Sequence, residues 1–147
     1  MQPTLSLALE AIRRGEINCA VFQQGAPTYE SAKRGVAPLM ELLDDGRDLL
    51  NGAEIADKLI GKAAAMLLAL GNAKSVCALV MSESALDFLK AHQIDAEYET
   101  LIPMIINRQG TGPCPMEAAV EGLTDPAAGK AAIAAAIARM RAQANAK

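Results

Sequence analysis

Tryptophan is absent from this 147-residue chain, and only two Phe and two Tyr are present, so stacked aromatic rings cannot organise its interior. The hydrophobic share is nonetheless 52%. The core must therefore be built from Leu, Ile, Val, Met and Ala, a composition that suits helices lying close on a sheet. Long basic tracts are missing too: 14 Lys and Arg stand against 17 Asp and Glu, for a net charge of -3. No nucleic-acid partner is expected from that balance. The three cysteines, Cys19, Cys77 and Cys114, are an odd number with no CxxC spacing, which argues against a disulfide framework and against a self-contained zinc knuckle. Cys19 and Cys77 sit in apolar runs and read as small buried hydrophobes. The opening Met1-Gln2-Pro3-Thr4 leads into an amphipathic stretch, without the uniform apolarity of a signal peptide or membrane span. A cytoplasmic location with no membrane partner is the expectation, and the length fits one domain over 1–147.

Periodicity then divides the chain. Leu5, Leu9 and Ile12 recur at helical spacing up to Arg13-Arg14-Gly15, predicting a first helix over about 4–14. Ile17–Phe22 and Thr28–Ser31, separated by Gln24-Gly25-Ala26-Pro27, predict a β-hairpin. A short helix over about 36–45 carries Pro38 in its first turn. The segment from Ala56 to Leu70 is apolar on nearly every side and reads as one helix sandwiched in the interior. Ser75–Met81 has the continuous apolar pattern of a central strand. A helix capped by Ser82 or Ser84 follows, ending near His92, and Ala96–Glu99 reads as an edge strand. Residues 101–112 are irregular, Pro115 opens a short helix, and an Ala-rich helix over about 126–143 should dock on the sheet or on a partner subunit.

The order helix, hairpin, buried helix, strand, helix, strand resembles the cytidine deaminase superfamily. The stretches Ala56–Ala65, Asn107-Arg108 and Gly112–Glu117 are similar to a bacterial family of unknown function assigned that fold. The resemblance implies a three-layer α/β/α domain whose mixed sheet begins with the hairpin and carries helices on both faces. In the catalytic superfamily, zinc is held by a His or Cys and by a Pro-Cys-x-x-Cys pair at helix starts, with a Glu moving protons. Here the corresponding starts read Ala56-Asp57-Lys58 and Ser82-Glu83-Ser84, with neither imidazole nor thiol. No zinc site and no other cofactor is expected. Pro113-Cys114-Pro115-Met116 falls one element too late to replace the cysteine pair.

Three groups of residues remain as candidates for chemistry. Asp57, Lys58 and Lys62, read as the first turns of the buried helix, would offer two lysines and a helix N-terminus to a phosphate or carboxylate, or Asp57 would merely cap a solvated start. Cys114, between two prolines at a helix start and with Glu117 three residues on, would be a reactive thiol with a proton acceptor, or a turn with a capping Glu. Asn107, Arg108, Thr111 and Gly112 supply planar donors and a hydroxyl in a loop suited to closing over an anion. Together with Ser82 these residues border an expected pocket at the strand ends. The reading that follows is a domain binding a nucleotide-like or other anionic small molecule. The alternatives are an enzyme using Cys114, with Asp57 or Glu117 moving protons, and a homo-oligomeric module pairing through the Ala-rich helix.

Overall fold

In the computed structural model, which describes residues 3–145, helix α1 (Pro3–Arg13) precedes a hairpin of β1 (Cys19–Gln23) and β2 (Ala26–Ser31). Leu5, Ala8, Leu9 and Ile12 form the stripe that seats α1 on the sheet, against Ala20, Phe22, Ala56 and Cys77. Gly15, at φ +80, supplies the left-handed residue that lets the chain reverse after the helix. The hairpin turns through Gln24 and Gly25, both with positive φ, so its two-residue loop matches the twist of the strands. Pro27 is accommodated because β2 is an edge strand.

Helix α2 (Ala37–Asp44) has Pro38 in its first turn, as its sequence predicts. The next segment departs from expectation. Residues 56–70 are not one helix: Glu54–Ile60 form strand β3, and helix α3 begins only at Lys62 and runs to Leu70. Gly61 divides them, with an extended backbone at φ -103 and ψ -177. Periodicity alone cannot separate a buried strand from a buried helix when both are apolar throughout. The tertiary context decides, because β3 is paired on both sides, antiparallel to β1 and parallel to β4.

Strand β4 (Ser75–Ser82), helix α4 (Glu83–Ala91) and strand β5 (Asp95–Ile102) follow, then α5 (Pro115–Ala119) and α6 (Pro126–Asn145). The five strands form one open sheet in the order β2-β1-β3-β4-β5, with β3, β4 and β5 mutually parallel. The β3-α3-β4-α4-β5 run is the crossover pattern that parallel pairing requires. Helix α1 covers one face. The other face, through Val21, Ile55, Val76 and Ala78, packs on a larger core drawn from α2, α3 and α4. Six consecutive residues of α3, Ala63–Leu68, are buried because the helix lies between the sheet and α6. Helix α6 thus docks on α3 and not on the sheet, approaching so closely that a Cβ on Gly129 would lie 2.7 Å from the Met66 sulfur. Among the described residues no helix is long and apolar enough to cross a membrane.

Candidate functional site

The parallel strands β3 and β4 end side by side, with Ile60 paired to Met81, and two helices start there. In open α/β sheets this end is where ligands bind. Ser82, the last residue of β4, is fully buried, and its hydroxyl accepts the Ala85 N–H at 3.2 Å, capping α4. Among the described residues, Ser82 and Asp57 are the buried polar side chains. Asp57, placed by sequence reasoning in a helical turn, instead lies in β3 opposite Cys19 of β1. One of its oxygens accepts the Lys58 N–H at 2.7 Å. Burial pushes the Asp57 carboxyl up to about 7, against the partial stabilisation of its anion by the backbone N–H groups of Lys58 and Leu59 and by the Cys19 thiol. The Cys19 thiol is itself pushed well above its ordinary value, chiefly by burial and then by the neighbouring carboxylate.

Strand geometry also separates the two lysines, which share no helix face. Lys58 is exposed on β3. Lys62, the first residue of α3, is half-buried and donates from Nζ to the Val120 carbonyl at 3.2 Å. The anion-binding end of α3 is occupied by the chain's own carboxylate: Glu117 Oε1 accepts the Lys62 N–H at 2.8 Å and Oε2 accepts the Ala63 N–H at 2.9 Å. Glu117 therefore caps α3, a helix 55 residues earlier, and not its own helix. Both oxygens are engaged, which leaves it poorly placed to take a proton from Cys114.

Cys114 is half-buried at the start of α5, and its N–H donates to the Ile105 carbonyl at 3.0 Å. Between them, residues 106–113 form a small hairpin, in which Ile106 pairs with Pro113 and the Asn107 N–H donates to the Gly112 carbonyl at 2.8 Å. Asn107 also holds Thr111 from its side chain, donating to the hydroxyl at 3.1 Å and accepting the Thr111 N–H at 3.0 Å. Arg108 is exposed. The structure thus brings Glu117, three residues after Cys114, to the start of α3, with the hairpin that carries Asn107, Arg108, Thr111 and Gly112 directly before them in the chain. Sequence reasoning missed Gly61 and Ile105, whose contact joins the two sides: a Cβ on Gly61 would lie 2.4 Å from Ile105 Cδ1 and 2.6 Å from the Glu117 carboxyl. An isolated glycine between two apolar runs was the available signal.

Two open grooves lie elsewhere. One, of about 350 Å³, runs between Leu42 and Leu43 of α2 and the α3 terminus at Leu70–Asn72; the other, of about 620 Å³, separates α2 from α6. Neither is lined by any expected site residue. His92, just beyond α4, stacks on Phe88 with ring centroids 4.1 Å apart, and its Nδ1 lies 3.0 Å from the Phe88 carbonyl oxygen. Among the described residues no group of three or more His, Cys, Asp or Glu side chains is arranged to hold a metal ion. The starts of α3 and α4 offer neither thiol nor imidazole, so the residues present do not fit a deaminase-type zinc.

No curated protein matches this chain. A crystal structure of a DUF1893 family protein from Thermotoga maritima is similar to it, with 27% sequence identity, a TM-score of 0.78, and coverage of 95% of this chain and 91% of that one. Residues 7–137 match the family described as a domain of unknown function, DUF1893. Since that match spans nearly the whole described fold, the chain belongs to the DUF1893 family.

Proposed function

We infer that this is a binding domain of cytidine-deaminase-like architecture without a zinc centre, taking a nucleotide-like or other anionic small molecule at the C-terminal ends of β3 and β4. The observation that carries the reading is the fully buried Ser82 hydroxyl at the C-terminal end of β4, where open α/β domains build their sites, with a second buried polar side chain, Asp57, three residues before the end of the adjacent β3. Buried polar groups of this kind are costly to a core and concentrate at functional sites. The hairpin opening of the sheet and its parallel β3-β4-β5 run support the architectural assignment. Lys58 and Arg108, both exposed, supply the positive charge, and Asn107, Thr111 and Gly112 the polar rim. With the α3 start filled by Glu117, the reading of Cys114 as a catalytic nucleophile has the weaker support.

A thermal-shift series with nucleoside mono-, di- and triphosphates, nucleosides and inorganic phosphate tests the reading. One class should raise the melting temperature, and Lys58→Ala and Arg108→Ala should each diminish that rise without lowering the unliganded melting temperature. No stabilisation by any of these compounds at millimolar concentration, or stabilisation that both variants retain in full, would overturn it.

A further inference from the structure

The segment between β5 and α6 keeps most of its hydrogen bonds to itself. Its hairpin closes through Asn107 to Gly112 and Cys114 to Ile105, and α5 closes through the Ala118 N–H on the Cys114 carbonyl at 2.9 Å. Those bonds would travel with the segment if it moved. Among the described residues, its polar attachment to the body is the two Glu117 bonds to the start of α3, the Lys62 Nζ bond to the Val120 carbonyl, and the Leu123 N–H on that same carbonyl at 3.0 Å. The apolar attachment is Ile105 on Gly61, the partly buried Met116 against the core and the fully buried Val120, with α5 touching both α3 and α6. The segment begins at Pro103, directly after β5, and ends at Gly122, whose φ of +77 marks a sharp reversal before α6. Helix α3 has no cap of its own, since Gly61 lacks a side chain.

We propose that residues 103–121 form a strap that lifts as one body from the start of α3, with the Glu117 carboxylate as its latch. Lifting breaks the bonds at Lys62 and Ala63 and uncovers Val120. It parts α5 from α6 but leaves the sheet ladders and the packing of α6 on α3 in place. The strap closes on the start of α3 whether or not an anion binds at the strand ends, so the inference does not rest on the binding reading.

Thiol protection tests it. With Val120→Cys in a Cys114→Ser background, alkylation by iodoacetamide is followed at position 120 and at the buried Cys19 and Cys77, each rate divided by its rate in denatured protein. Position 120 should be at least about tenfold less protected than Cys19. Adding Glu117→Gln should accelerate position 120 alone, by at least about fivefold, because a bond to a charged acceptor is lost. Equal protection at all three thiols, or equal acceleration by Glu117→Gln at Cys19, would mean that the fold opens only as a whole and would overturn the proposal. Amide hydrogen exchange in the unaltered chain gives a second measurement free of folding defects in the variants. The Lys62 and Ala63 amides should exchange well before those of Leu67 and Leu68, with the Asn107 and Cys114 amides slower than the Lys62 pair. Exchange of all six together would refute the strap equally.

Discussion

Replacing Asp57 by Asn should make the protein more stable, and more so as the pH rises. The carboxyl is 5% exposed in the core between β1 and β4, and burial lifts it from an ordinary 3.8 to about 7. In the unfolded chain it ionises near pH 4; in the folded chain it keeps its proton until about pH 7. Folding at pH 5 or 6 therefore takes up a proton. The stability this group contributes is fully present below pH 4 and is progressively lost as the pH rises through 7. A shift of about 3 units corresponds to about 4 kcal/mol between those limits. That figure is an upper bound, because local opening that wets the carboxylate limits the penalty. The side-chain amide introduced by Asp57→Asn would be neutral throughout and keeps an oxygen in place for the Lys58 N–H. Urea denaturation of both proteins between pH 4 and 8.5 should show the stabilities converging at the acid end and the variant ahead by a few kcal/mol at pH 8. A difference between the two that does not change with pH would refute the account, since the linkage admits no such result.

Three further substitutions probe the packing beside the C-terminal ends of β3 and β4. Gly61→Ala places a Cβ 2.4 Å from Ile105 Cδ1 and 2.6 Å from the Glu117 carboxyl, so it should cost about 1–3 kcal/mol in denaturation, whereas Gly112→Ala, with nothing within 4 Å, should be nearly neutral. Ser82→Ala removes the hydroxyl that caps α4 and should lower stability by about 1 kcal/mol, readable as a drop in urea midpoint with unchanged m-value.

Most elements of this fold were legible because their residues obey one period and end in turn chemistry. The α1 stripe closed by Gly15, the hairpin about Gln24-Gly25, the apolar run of β4 and the Ser82 cap all follow from local sequence. Strand β3 was not legible, because Ala56, Leu59, Ile60 and the alanines that follow also satisfy a helical stripe; only pairing to β1 and β4 resolves the ambiguity. That one strand moved Asp57 and Lys58 from a helix start to a ladder and removed the premise that Lys58 and Lys62 share a face. Glu117 was legible as a capping residue but not as the cap of α3, since nothing local announces a bond across 55 residues. The destination of α6 was likewise hidden, because its alanines pack equally well on a sheet or a helix; Gly129 against Met66 decides it.

The sheet stops at β5 although its backbone does not require it to. Eight residues without proline present an outer row of N–H and C=O groups to which, among the described residues, no further strand is paired. Such an edge is a template for aggregation unless something discourages pairing. Asp95, Glu97 and Glu99 alternate along it, all exposed, with Glu99 held by Arg13 of α1 at 2.9 Å. A second copy brought up edge to edge would meet the same row of acids. Like charges set opposite one another across an edge repel, so this row disfavours pairing of β5 with a second β5.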